Sequence, residues 1–411
     1  MEVSQPRVTL VSAGQLCTCP RMVKVADALH EEGYLVRAVT NRRTEWGVAC
    51  DLGISKERPW LSMQTVDARR EAGSGAFLPS AVRYHAARRV TRTIGIGPSG
   101  TKLRALAWLL SGAELLAAVR STPADFFYFC GGSFPLARFV AGPYAVDFED
   151  FHRGEPDDSA DGRWESELTA SLERDVAGNA RFVTMASPLI AAEYRKYIGI
   201  SGVVVHNVFP LPVTPPKFEN PSGPLKVYWF SQTIGPGRGL EEAIRGAGSS
   251  GVATELHLRG AVAGYRGELE RLARETAPDL KLEFHEPRPP SEMVARCRAF
   301  DIGLASEPGL TPNSRVLLSN KVFTYMLAGL AVAFSDTPAQ REFRNALGNT
   351  QALGTLADAL RHWDADRGAL VGAKRDAWAW AKRRWHWEHP EERGTIARAF
   401  AEHVPKAVRC A

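Results

Sequence analysis

The chain has 411 residues, 45% hydrophobic and 24% charged. This excludes a disordered or fibrous polypeptide and is too long for one ordinary core, so two domains of about 200 residues are expected. A formal net charge of +5, from 51 Lys and Arg against 46 Asp and Glu, is a slight surplus that favours an anionic ligand weakly and gives no basis for a nucleic-acid partner.

Met1 to Val11 holds no basic segment followed by an apolar one, so no secretion signal is read. The cysteines (Cys17, Cys19, Cys50, Cys130, Cys297, Cys410) are scattered, and the Cys17/Cys19 pair has no second pair at metal-ligand spacing. A reducing cytoplasm, no metal site and no resident cofactor are the expectations.

In chain order, Val8 to Val11 reads as a strand. Ser12 to Cys19 is a polar turn, and Pro20 opens a helix with Met22, Val25, Ala26 and Leu29 on one face. Gly33 closes that helix, and Leu35 to Val39 is the next buried strand, completing a βαβ unit. Arg83, Arg88, Arg89, Arg92, Lys102 and Arg104 form a local basic cluster before the apolar run Leu103 to Val119, which Arg104, Ser111 and Glu114 break too often for a membrane span. The region 83–119 reads either as a basic amphipathic surface for peripheral membrane contact or as a solvated helix with a buried face.

Strands follow at Phe126 to Phe129, Tyr144 to Phe148, Phe182 to Met185 and Val203 to Asn207, with helical stretches at 103–119 and 164–177. Phe209 to Pro224 carries six prolines without apolar periodicity and is the linker. The pattern then restarts: a strand at Val227 to Phe230, a glycine-rich loop at Ser231 to Gly239 and a helix from Leu240. Further strands are expected at Leu256 to Leu258, Leu280 to Phe284, Ile302 to Leu304 and Ala331 to Phe334, with helices at 265–276, 291–298 (Ser291 as N-cap) and 320–328. The fold class is α/β, with two facing Rossmann-like, doubly wound parallel-sheet domains and an interdomain cleft at the carboxyl ends of the strands. The expected domains are 1–207 and 208–389, with a C-terminal helix at about 390–411 packing back on the first.

Two stretches carry the chemistry of the second domain. In the first, a strand ends in Gly235-Pro236-Gly237-Arg238-Gly239 at a helix mouth, where backbone N–H groups and Arg238 can hold phosphate. An isolated glycine-rich turn with a solvated arginine reads about as well. In the second, Ser319, Asn320 and Lys321 stand at the start of the helix that ends in Gly329. A lysine beside the positive end of a helix dipole is disfavoured unless an anion is present.

These residues, together with Leu256 to Gly260, Asp301-Ile302-Gly303 and the Asn320 to Val332 segment, resemble the donor half of retaining GT-B glycosyltransferases of family four. His206-Asn207-Val208 and Arg384 to Glu388 are similar to that family's domain-closing turn and C-terminal tryptophan element. The resemblance implies transfer of a sugar from a nucleotide-diphosphate donor to a small-molecule or glycan acceptor, with retention and without metal. Gly237, Arg238, Gly239, Ser319, Asn320 and Lys321 would bind the diphosphate, and Gln232, Thr324 and Glu307 would contact nucleoside or sugar. The family's paired glutamates are absent, since Val316 and Thr324 stand at those positions.

In the first domain, Val146 to Glu155 follows a strand and gathers acid, base and orienting groups, and Asp147, Glu149 and His152 are the candidates for activating an acceptor. The plain alternative is a solvated acidic turn. Gly14 and Gln15 in the first loop, and Arg21 at the start of the first helix, are the further candidates, Arg21 serving an anion or standing as an ordinary surface charge. Two rival functions share this fold expectation: a nucleotide-sugar epimerase, which needs no acceptor, and a binding protein without chemistry.

Overall fold

The computed structural model describes residues 5–73, 75–262 and 264–404. The chain divides into two compact units, one formed by the chain through Val205 together with the segment from Arg393 onward, the other by His206–Glu392.

The first unit is a seven-stranded, all-parallel sheet in the order β3-β2-β1-β4-β5-β6-β7. Its strands are β1 (Arg7–Ser12), β2 (Leu35–Asn41), β3 (Ser62–Val66), β4 (Phe126–Cys130), β5 (Tyr144–Phe148), β6 (Val183–Met185) and β7 (Val203–Val204). Its helices are α1 (Pro20–Glu31), α2 (Trp46–Glu57), α3 (Phe77–Ile94), α4 (Thr101–Trp108), α5 (Gly112–Ser121), α6 (Ala160–Ala177) and α7 (Pro188–Ile198). Every residue of β4 and β5 is buried, as expected for central parallel strands covered on both faces. The single helix expected over 103–119 is instead α4 and α5. Leu109 adopts an extended conformation, and a new helix begins at Gly112, which packs in ordinary contact with Leu109 and Leu136.

The second unit is a six-stranded parallel sheet in the order β10-β9-β8-β11-β12-β13, built from β8 (Leu225–Ile234), β9 (Thr254–Val262), β10 (Lys281–His285), β11 (Ile302–Ala305), β12 (Ala331–Phe334) and β13 (Ala352–Leu353). Its helices are α8 (Leu240–Ser250), α9 (Arg266–Thr276), α10 (Met293–Cys297), α11 (Pro312–Val316), α12 (Asn320–Ala328), α13 (Pro338–Ala346), α14 (Leu356–Ala365) and α15 (Arg367–Arg383). Strand β8 runs four residues past the expected end at Phe230, through a bulge between Phe230 and Thr233, so Gln232 lies in the strand. Ser291 sits within a short 3-10 turn (Pro290–Glu292) rather than capping α10.

Helix α16 (Arg393–His403) returns to the first unit. Phe400 meets Phe126, Tyr128 and Phe182 edge-on at 5.2–5.7 Å, the Tyr34 hydroxyl donates to the Val404 carbonyl, and Arg393 pairs with Glu31. Full burial of one such phenylalanine contributes about 1.5–3 kcal/mol.

In each sheet the strand order reverses once, between β1 and β4 in the first unit and between β8 and β11 in the second. Loops leaving the carboxyl ends of strands on either side of such a point splay apart and leave room for a ligand. Gly14 and Gln15 lie in the loop after β1, and Arg238 and Glu307 in the loops after β8 and β11.

Candidate functional site

In the second unit, the loop after β8 turns through Gly237 and Gly239, with φ of +71° and +73°, a region that costs a side-chain-bearing residue strain. Gly239 is the N-cap position of α8, and a Cβ there would come within 3.1 Å of the Ser306 Cβ. Glycine is thus required both by conformation and by close approach. Ser306, at the start of the loop after β11, donates its hydroxyl to the Arg238 carbonyl at 2.8 Å. The exposed guanidinium of Arg238 makes no ion pair among the described residues.

The next residue in that loop, Glu307, forms an ion pair with Lys321 at 3.0 Å, the two side chains being 13% and 9% exposed. The anion that a lysine at a helix N-terminus calls for is therefore supplied by the protein. The Glu307 N–H donates to Ser335 after β12, and Lys321 lies 5.9 Å from the centre of the Trp229 ring. Adjacent residues Ser306 and Glu307 thus link Arg238 to Lys321, drawing the loops after β8, β11 and β12 and the start of α12 into one cluster at the switch point.

Among the other candidates of this cluster, the expectation that changes is that for Thr324. Ser319 occupies the N-cap position of α12 but makes no capping hydrogen bond, and its buried hydroxyl has no partner among the described residues. Asn320 is the first helical residue, its carbonyl accepting the Thr324 hydroxyl at 2.9 Å. Thr324 is fully buried, so it is a packing residue of α12 rather than a nucleoside or sugar contact. Gln232 is exposed on β8.

Beneath α12, Phe323 packs on Trp385 and Phe343. Glu392, fully buried, accepts the His206 N–H at 2.7 Å and pairs with Arg384. Burial works against its charge, but His206 and Arg384 hold its carboxyl below the usual range. The turn at His206 and the tryptophan element are in this way one brace under the helix that carries Lys321.

In the first unit, Arg21 and Asp147 are not presented to a ligand. Arg21 Nε lies 2.6 Å from Asp147 Oδ2, with side chains 1% and 0% exposed. Thr184 donates to Asp147 Oδ1 at 2.7 Å, and Arg21 also donates to the Val205 carbonyl. Burial opposes the guanidinium charge, and Asp147, with Tyr128 and Glu149, more than offsets it. The acceptor role expected of Asp147 and the anion or surface role expected of Arg21 are both corrected: the two are a buried pair tying α1 to the sheet. Gln15, also buried, accepts the Arg43 and Thr44 N–H groups at 3.1 and 2.7 Å through Oε1 and braces two loops. A Cβ on Gly14 would strike the Thr18 hydroxyl at 2.8 Å. Gly14 and Gln15 shape the first loop.

Glu149 and His152 follow β5. Glu149 is half-buried. His152 is 6% exposed, its ring stacked on Phe134 at 5.5 Å, its Nδ1 2.6 Å from Glu155 Oε1, and its shielded Nε2 without a partner among the described residues. Burial disfavours the charged ring, but Glu155, with Asp150 and Glu173 behind it, pushes the imidazole up to about 9. The turn is anchored from two helices. The Tyr194 hydroxyl donates its one proton to Glu173 at 2.7 Å and lies 3.1 Å from the Asp150 carbonyl, while the His152 and Arg153 N–H groups donate to Tyr194 and Glu173. Burial raises the Glu173 carboxyl. Asp150, His152 and Glu155 offer ligand-capable atoms within 4.8 Å of one another, and the Nδ1–Glu155 bond already uses two of them.

Glu155, Glu173 and Tyr194 were not singled out from the sequence. The spacing of three between His152 and Glu155 was a usable signal, whereas Glu173 and Tyr194 lie on helices that carry no local mark of the site.

Elsewhere, a cavity of about 710 Å³ opens at the amino edge of the second sheet, beside Lys226, Arg298, Asp301 and Lys374. Its buried charges satisfy one another through Lys374 and Asp301 at 3.3 Å, and it lies away from the switch point. The basic cluster of the first unit is largely neutralised, since Arg83, Arg88, Arg92 and Arg104 pair with Glu114, Glu165, Asp161 and Asp175. Among the described residues no helix is long and apolar enough to cross a membrane, and the five described cysteines are free. Cys410 lies outside the described residues.

No family model matches the chain, and no curated protein sequence matches it. Solved structures do. Anabaena HepE in complex with UDP and glucose aligns at a TM-score of 0.64 with 14% identity, over 97% of this chain and 99% of that one. Sucrose-phosphate synthase from Thermosynechococcus elongatus aligns at 0.66 with 12% identity, over 96% and 97%. S. aureus TarM, in complex with UDP, alpha-GlcNAc-glycerol and Fondaparinux, aligns at 0.65 with 7% identity, over 97% and 99%. Across the two parallel-sheet units, the chain has the GT-B fold of these glycosyltransferases.

Proposed function

We propose that the chain is a glycosyltransferase that moves a sugar from a nucleotide-diphosphate donor to a small-molecule or glycan acceptor, with retention as in family four and with no metal or resident cofactor. The observation that carries this reading is the gathering of Arg238, Lys321 and the N-termini of α8 and α12 around the switch point of the second sheet, joined through Ser306 and Glu307. Two cations and two helix N-termini form a site for the charge that develops on a departing diphosphate. UDP is the first nucleotide to test, because it is bound in HepE and TarM. Glu307 contacts the ribose or sugar once diphosphate takes its place on Lys321, and Gln232 lies along the strand that leads to the same loop.

Glu149 and His152 are the acceptor-side groups of the first unit. The protein works in the cytoplasm, and peripheral membrane contact would rest on the exposed Leu78, Val82, Val90 and Ile94 of α3, since most of the neighbouring arginines are already paired.

The test is turnover of UDP-, GDP- and ADP-sugars against an acceptor panel, with and without EDTA. Release of one nucleoside diphosphate that depends on acceptor and is unchanged by EDTA is the expected result. Conversion of donor alone to an isomeric sugar would point to the epimerase, and nucleotide binding with no turnover to the inactive binder.

A further inference from the structure

We infer that Glu155 is a positioning residue that keeps His152 as a doubly protonated donor, aimed through Nε2 at an oxygen of the bound substrate, so that His152 is not the general base. This rests on the proposed transferase reading for the role in turnover, but not for the ionisation itself.

The geometry is that of an oriented imidazole. Nδ1 is fixed by Glu155 Oε1 at 2.6 Å, and the ring is held flat against Phe134 and edge-on to Phe148. The backbone of the turn is pinned by Tyr194 and Glu173. A carboxylate on one ring nitrogen fixes which nitrogen is left for chemistry. The charged groups around the ring are Glu155 and Arg153 in its own turn, Asp150 in the preceding loop and Glu173 on α6, with the Tyr194 phenol on α7. Three carboxylates against one guanidinium favour the protonated ring. Arg153 is drawn aside over the Tyr197 ring at 4.4 Å.

The remaining nitrogen, Nε2, is shielded and has no partner among the described residues. A buried N–H without an acceptor is unfavourable, and a substrate hydroxyl or phosphate oxygen would satisfy it. An imidazolium has no lone pair with which to take a proton, so removal of the acceptor's proton falls to Glu149 or to the departing phosphate.

The test is an NMR titration of isotope-labelled histidine in the full chain without substrate, the His152 signal being assigned by its loss in His152→Gln. It is run beside the pH profile of kcat/KM for wild type, Glu155→Gln and Glu155→Asp. His152 should titrate near pH 9 in wild type and below 7 in Glu155→Gln. The basic limb of the profile should shift downward with it, the rate at pH 8 falling about tenfold, and Glu155→Asp should restore part of both.

Thermal melts supply a further readout. The folded-state value lies above the unfolded one of about 6.5, so the stability of wild type over Glu155→Gln should be full below pH 6.5 and fade as the pH rises through 9. A wild-type His152 titrating near 6.5, or one unmoved in Glu155→Gln, overturns the pairing. A titration that shifts while the kinetic limb does not overturns the part assigned to His152 in turnover.

Discussion

Asp147→Ala is expected to lower the stability of the N-terminal unit by about 3–5 kcal/mol, because it leaves the Arg21 guanidinium charged and unpaired in the interior. For a unit of this size that corresponds to a fall of roughly 6–20 °C in its melting transition. The pair is at most 1% exposed, so water cannot replace the lost carboxylate. Thr184, which donates to Asp147, loses its acceptor as well. Joint replacement by Arg21→Met and Asp147→Leu should cost less than Asp147→Ala alone, since it removes the stranded charge with its partner. Equal melting of wild type and Asp147→Ala, followed by circular dichroism, would return Asp147 to the list of acceptor-side groups.

The second large effect is expected at Lys321. Lys321→Ala should reduce kcat/KM about 100- to 1,000-fold, the range for removing one group that stabilises developing charge. It should lower stability, because Glu307 is left unpaired at 13% exposure, but keep the fold, because α12 is held by Phe323 packed on Trp385 and Phe343. Glu307→Gln separates two roles of the ion pair. If Glu307 only fills the place of the diphosphate, the amide should tighten nucleotide binding several-fold. If Glu307 also contacts ribose or sugar, tighter binding of the nucleoside diphosphate should accompany slower turnover of the sugar conjugate, and the second pattern is the one expected here. Steady-state kinetics beside nucleotide titration distinguishes the two.

How much of this was legible in the sequence follows from which forces act locally. Tyr144 to Phe148 reads as a buried strand because Tyr144, Ala145, Val146 and Phe148 form an apolar run, although nothing in that run marks the burial of Asp147. The carboxyl end of β8 does not read so, because Ser231, Gln232 and Thr233 are polar and the bulge interrupts the pairing. Arg238 and Lys321 stand out because strand, glycine turn and helix start are contiguous in the chain. The partners of charged groups are another matter. Arg21 meets Asp147 and Lys321 meets Glu307 only once parallel strands lie side by side, and a single sequence carries no local trace of either pairing. The same holds for Thr324, whose inward orientation follows from the packing of α12 and not from its neighbours in the chain.

The most direct test of the donor site is calorimetric titration of UDP, GDP and ADP into wild type, Arg238→Ala and Lys321→Ala. Binding of one diphosphate that each substitution weakens at least tenfold is the predicted result. Absence of binding by all three nucleotides, or binding that survives both substitutions unchanged, would contradict a diphosphate site at the switch point of the second sheet and the transferase built on it.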